Sequence, residues 1–286
     1  MSGKPSQVRL DVIELANRLW VETFQPLGIV PTVRQVFYQV AVAGLVPKSE
    51  KGYRQILRWL RVARMEGDLP WESISDGLRE LNTPSTWSTL SDFASDVRGS
   101  WKLDRWESQP RSVEVWVEKH TVVGTIDAII RRYYVPMLCC RGYASSTAKH
   151  DAALRAIDRP TTVIYIGDHD PSGVDMLEEA AGWLRSFGAE DVRWDRIAVT
   201  ADDLDDPELP KLQVNGQDNR TRAYIKRFGT DVLEVEALPP GMLQSRLQDA
   251  IRRHLDLDAW DAAVARERDM GRQLGDVIEE LEEDGR

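Results

Sequence analysis

Between residues 112 and 198 the chain alternates short apolar runs with longer runs of helical spacing. SVEVWVE, YVPMLCC, TTVIYIGDHD and RIAVT are rich in β-branched and aromatic residues. TVVGTIDAIIRRY, SSTAKHDAALRAI and VDMLEEAAGWLRSFG lie between them and repeat apolar residues at helical intervals. Strands apolar on both sides must be covered on both faces. The pattern therefore predicts an α/β fold with a mainly parallel sheet sandwiched by helices, over residues 109–241. VLEVEA, near 231–236, reads as a further strand. Residues 242–286 read as a helical tail with an acidic end, and residues 82–108 as an aperiodic connector ordered in part by Trp87, Trp101 and Trp106.

Residues 1–81 have a different character. Apolar positions from Val8 to Trp20 mark one helix, broken at Pro26 and Gly28. Thr32 is a candidate N-cap for a second helix running to Gly44. Ser49 caps a third, from about Glu50 to Glu66, ended by Gly67. On the third helix Tyr53, Ile56, Leu57 and Leu60 fall on one side, and Arg54, Arg58 and Arg61 on another. Residues 1–64 hold ten Lys and Arg against four Asp and Glu, a balance of +6 in a chain of net charge −10. A basic module joined to an acidic remainder fits a DNA-reading part attached to a metal-binding part. Three helices with a basic third one fit a winged helix-turn-helix, whose third helix enters the major groove. They equally fit an ordinary helical bundle with solvated arginines.

No run approaches the ~18 apolar residues that a membrane span requires, and the first residues, MSGKPSQVRLDVIE, lack the apolar core of a signal peptide. Cys139 and Cys140 are the only cysteines, and they are adjacent in an apolar strand. They read as small core residues in a reducing, cytoplasmic setting.

Two places carry the chemistry. Glu118 ends the first strand of the α/β region, and Asp168-His169-Asp170 ends the third. Ligands of parallel sheets gather beyond the carboxyl ends of strands. On extended backbone, Asp168 and Asp170 face one way and His169 the other, which makes His169 a packing residue. Carboxylates are hard oxygen donors suited to magnesium, or manganese in its place, and such an ion stabilises charge on a reacting phosphate. Glu118, Asp168 and Asp170 are thus the candidate metal ligands. The competing reading is loop capping by aspartate beside a surface glutamate. Pro171-Ser172-Gly173 turns the chain into the next helix. Lys119 and Arg141 are candidate phosphate contacts.

VEVWVEK and, about fifty residues on, VIYIGDHDPSGVDM resemble the Toprim domain. The version they most resemble is that of the topoisomerase VI A subunit and its relative, the meiotic double-strand-break transesterase. That family has Glu-Lys after the first strand and Asp-x-Asp-Pro-x-Gly after a later one, so the resemblance implies magnesium at Glu118, Asp168 and Asp170. RGYASSTAKHDAALRAI and ALPPGML resemble family segments between and beyond these motifs. Upstream, a winged helix in the family carries Arg-x-x-(Phe/Tyr)-Tyr. Arg34-Gln35-Val36-Phe37-Tyr38 matches it, implying Tyr38 as nucleophile. Two departures stand out: the chain is shorter than a typical A subunit, and His169 replaces a small residue.

The resemblance implies a homodimer on double-stranded DNA, a phosphotyrosyl link through Tyr38, metal supplied by the second subunit, and an ATPase on a separate subunit. The chemistry of Tyr38 agrees: a phenol ionises near pH ~10 and needs help, and Arg34, four residues earlier, shares its helix face. The alternative for Tyr38 is core packing beside Val33, Val36, Phe37 and Val40. Three functions follow: a DNA transesterase, a nuclease in which water attacks, or a non-catalytic DNA-binding protein.

Overall fold

The structure is a computed structural model that describes residues 6–75, 84–140, 146–214, 216 and 218–284. Helix α1 (Gln7–Leu19) is capped by Ser6, whose side chain accepts from the Arg9 amide, and it continues through a wider turn to Phe24. Gly28, at φ 67°, ends this segment in a left-handed conformation that only glycine adopts without strain. Helix α2 (Val33–Val42) opens with a full capping box between Thr32 and Gln35. Helix α3 (Glu50–Glu66) runs from the Ser49 cap to Gly67 at φ 83°. These are the helices that the spacing predicts.

Val12, Ile13 and Ala16 of α1, Val36 and Val40 of α2, and Ile56, Leu60 and Ala63 of α3 bury together. Leu57 does not join them and is 42% exposed, because one residue beyond Ile56 lies ~100° around the helix. Thr32 makes an isolated parallel bridge to Ser75. Residues 76–81, the remainder of the expected module, lie outside the described residues.

Within the expected connector, Leu90–Ser100 form helix α4, opened by a capping box between Thr89 and Asp92. None of its residues is buried, although Leu90, Phe93, Ala94 and Val97 repeat at helical spacing among the Ser, Thr and Asp that make the stretch read as a connector. Trp106 is buried and its indole donates to the Tyr133 carbonyl at 2.7 Å.

The sheet has β1 (Ser112–Val117), β2 (Met137–Cys139), β3 (Thr161–Ile166) and β4 (Val192–Ala198) in the order β2-β1-β3-β4, all parallel. Helix α5 (Val123–Tyr133) and helix α9 (Pro240–Arg253) pack together over one face. There they bury Val113, Val115, Val117, Ile164 and Ile166. Helices α6 (Ser146–Asp158) and α7 (Pro171–Ser186) cover the other, over Trp116, Val163 and Tyr165. This is the arrangement that right-handed crossovers produce when the chain first steps one way along the sheet and then back across it.

Two expectations are corrected. Residues 231–236 add no strand to this sheet. Instead β6 (Asp231–Val232) pairs antiparallel with β5 (Leu212–Gln213), and Val235–Ala237 coil into a single turn of 3-10 helix. The region after 241 is also more than a tail. α9 brings Leu243, Leu247, Ala250 and Ile251 into the core, and only α10 (Leu257–Asp284) extends beyond it. Cys139 and Cys140 are free and half-buried at the end of the edge strand β2. Burial, reinforced by Cys139 and Glu118, pushes the Cys140 thiol up to about 12.

Candidate active site

The carboxyl ends of β1 and β3 lie side by side. The Glu118 amide extends the ladder by donating to the Ile166 carbonyl at 2.9 Å. Its carboxylate turns back over β3 and accepts from the Asp168 amide at 2.8 Å. Two glycines make this approach feasible: a Cβ at Gly167 would stand 2.6 Å from Glu118 Oε2, and one at Gly173 2.3 Å from the Asp168 carbonyl oxygen. The glycines of the GDHDPSG run are therefore spatial requirements of the site.

Asp168 is buried and has both oxygens engaged. Oδ1 accepts from the Val235 amide at 3.0 Å, and Oδ2 lies 2.6 Å from Lys119 Nζ. Asp170 caps α7 by accepting from the Gly173 amide at 2.7 Å. His169 points the opposite way, as alternation predicts. Its Nδ1 meets the Tyr224 hydroxyl at 2.7 Å, and its ring stands on edge to Phe228. Tyr224 and Phe228 belong to helix α8 (Asn219–Phe228). Burial and the Arg196 charge hold His169 down at about 4, so it is neutral near pH 7. Arg196 ties the Gly167, Asp168 and Val199 carbonyls together from beneath.

Lys119 is the hub that the sequence does not announce. Its ammonium lies 2.6 Å from Asp168, 3.1 Å from Glu236 and 3.3 Å from Glu234. Burial opposes its charge, but Asp168, Glu236 and Glu234 together outweigh burial and hold the ammonium charged. Glu236 also accepts from the Thr121 hydroxyl at 2.8 Å. Glu234 reaches the N-terminal helices: it accepts from Arg34 Nη2 at 3.2 and 3.4 Å, and its charge acts on the Tyr38 phenol. The RQVFY helix and Asp168 are thus joined through Glu234 and Lys119 within a single chain. Tyr38 itself is only 2% exposed, and burial, then Glu234, push its ionisation well above the usual phenol range. The Lys48 ammonium lies 4.9 Å from the Tyr38 ring centre, and burial lowers it to about 8.

The carboxylates are strongly coupled. Burial, then the charges of Asp168 and Asp170, push Glu118 up to about 7. Burial raises Asp168 to about 6 against the pull of Lys119. Such shifts arise where like charges share a poorly solvated site. The donor chemistry of Glu118, Asp168 and Asp170 fits a hard divalent cation. In this conformation, however, Lys119 satisfies Asp168, and among the described residues no three His, Cys, Asp or Glu side chains form a group that could hold a metal ion.

Arg54, Arg58 and Arg61 are exposed on α3, and Arg54 pairs with Glu50 one turn earlier. They are not part of the acidic network. Arg141 lies outside the described residues. Glu234 and Glu236 were missed in the sequence because VLEVEA reads as a strand. Their own acid-x-acid spacing, the same as in Asp168-x-Asp170, is the signal that could have flagged them. No protein-family model matches the chain, and no curated protein matches it. Among the described residues no helix is long and apolar enough to cross a membrane.

Proposed function

We propose that this protein cleaves DNA by divalent-metal-dependent transesterification, with Tyr38 attacking a backbone phosphate. The observation that carries this reading is the chain of ion pairs Arg34–Glu234–Lys119–Asp168, beside Tyr38, which joins the RQVFY helix to the GDHDPSG strand end. In this step the phenol would pass its proton to Glu234 as its oxygen bonds to phosphorus, and the 3′ oxygen of the broken ester would leave and take up a proton from water. Arg34 offers a guanidinium to the phosphate. Glu118, Asp168 and Asp170 would hold magnesium or manganese, which supplies charge neutralisation at the phosphate. Lys119 would then retain Glu234 and Glu236. The first three helices would act as a winged-helix reader that sets Arg54, Arg58 and Arg61 on duplex phosphates. A homodimer, with an ATPase on a separate subunit, would work on DNA in the cytoplasm.

A second reading is favoured by the burial of Tyr38: the same carboxylates serve a nuclease in which water attacks, and Tyr38 only packs. One experiment separates the two. Supercoiled plasmid is incubated with the protein and magnesium or manganese, quenched with detergent, and divided for protease treatment. Protein-linked ends that vanish in Tyr38→Phe support transesterification. Free ends made equally well by Tyr38→Phe support the nuclease. Salt-sensitive DNA binding without cleavage under any condition rejects both in favour of a binding protein.

A further inference from the structure

Away from the acidic network, an open cleft of about 400 Å³ lies between α4 and α10. Arg98, Arg105, Arg268 and Arg272 line it, with Trp101 and Glu267. Four guanidinium groups thus meet one carboxylate, and that carboxylate is already committed. Glu267 accepts from Arg105 Nε at 2.8 Å and Nη2 at 2.9 Å, and from the Tyr134 hydroxyl at 3.1 Å. Arg105 is further fixed over the Tyr134 ring at 4.3 Å. It serves as a wall, and its charge is cancelled.

The other three arginines leave an excess of one positive charge once Glu279 and Asp269, which pair with two of them, are counted. Arg98 reaches Glu279 only at 3.6 Å, and Arg272 pairs at 2.9 Å with Asp269 on its own helix. Arg268 is exposed and makes no ion pair among the described residues. Trp101 is half-buried, and its indole N–H is shielded from solvent without a hydrogen-bond partner. α10 is bare where α4 crosses it: a Cβ at Gly275 would come 3.0 Å from Arg98 Cζ, and one at Gly271 3.5 Å from Trp101 Cδ1. Glycine weakens a helix interior, and here it admits the guanidinium and the indole to the cleft.

We propose that this cleft binds a nucleotide. Guanidinium forks match phosphate oxygens in pairs, an indole face stacks on any base, and the volume lies in the range of small-ligand sites. The inference is independent of the acidic site. Tyr134 follows the far end of α5, whose first residue, Val123, comes one short turn after Lys119, and an 11-residue helix separates its two ends by ~16 Å. The nucleotide could be free or part of a single strand, and the test distinguishes these sources.

Binding of ADP and of a ten-residue oligothymidylate to the full chain is measured in EDTA, which excludes divalent-ion chemistry, at low and moderate salt. Saturable, salt-sensitive binding is expected, weakened about tenfold or more in the double variant Arg268→Ala/Arg272→Ala. Both of those side chains are exposed, so the fold is not at risk. Trp101→Leu should weaken binding and Trp101→Phe, which keeps a ring, should weaken it less. ADP binding with this sensitivity assigns a free nucleotide; oligomer binding with this sensitivity and no ADP binding assigns a strand. Absence of binding by both probes, or binding untouched by the double variant, overturns the proposal.

Discussion

Asp168-His169-Asp170 and Glu234-Val235-Glu236 share one spacing and converge on one lysine, yet they are built differently. The first lies at a strand end, where alternation separates Asp168 from His169, and Asp170 turns away to cap α7. The second lies on a 3-10 turn, and both of its glutamates reach Lys119. Their charge states differ too. Burial raises Asp168 to about 6. Burial also pushes Glu234 up, but Lys119, the Tyr38 phenol and Arg34 outweigh it and hold that carboxylate below its ordinary range. Glu234 therefore stays ionised as an acceptor of hydrogen bonds, whereas Glu118 and Asp168 are carboxylates that a further cation would relieve.

The largest expected effect falls on the strand-end pair. Asp168→Ala should abolish DNA cleavage, with a loss of at least ~10³-fold in rate if the residue stabilises charge at the reacting phosphate. Glu234→Gln should leave a nuclease active and disable a transesterase. A plasmid-cleavage time course reads both, and full activity in Asp168→Ala would break the assignment of the two roles.

Next comes the lysine that the two pairs share. Lys119→Met leaves Asp168, Glu234 and Glu236 without their common cation, and breaking a buried pair costs about 3–5 kcal/mol. Urea unfolding should show a lower midpoint with little change in slope. An unchanged midpoint would mean that the three carboxylates are compensated elsewhere.

The pH dependence follows in size. Glu118 rises from 4.5 to about 7 on folding, so between those values the folded chain holds a proton that the unfolded chain has released. Its contribution is most favourable below pH 4.5 and is lost as pH rises towards 7, on the order of 1–3 kcal/mol. Glu118→Gln should flatten that slope in a denaturation series run across this window. The smallest effect lies on α3. Arg58→Ala and Arg61→Ala should each weaken duplex binding severalfold and lower the slope of log affinity against log salt by ~1, uniformly across sequences.

Much of this fold is legible from pattern. Ser49, Thr32 and Gly67 bound helices by local hydrogen bonding and backbone freedom, so their signals survive in the linear chain. The continuous apolar runs of β1 and β3 report burial on both faces. α4 is only faintly legible: Leu90, Phe93, Ala94 and Val97 have helical spacing, but they stay unburied among Ser, Thr and Asp, so composition reads as a connector. The strand expected at 231–236 fails for another reason: Val-Leu-Glu-Val-Glu-Ala alternates well enough for a strand, but Lys119 draws both glutamates inward and the backbone coils to deliver them. For the site, GDHDPSG is readable because its acids sit on one strand end. The role of Lys119 is not, since it depends on a partner segment more than a hundred residues away.

That distance has a consequence for how the protein is made. Glu234 leaves the ribosome 66 residues after Asp168, or about 3–13 s later at ~5–20 residues per second. α9, which seals one face of the sheet, follows later still. Until then the nascent chain carries Arg34 without its carboxylate, Lys119 without two of its three counter-charges, and Val113, Val115 and Ile164 under α5 alone. The site is complete only after residues 234–236 have emerged, so translation stalled near residue 230 would yield a chain that is both incomplete in its chemistry and adhesive on its half-covered face.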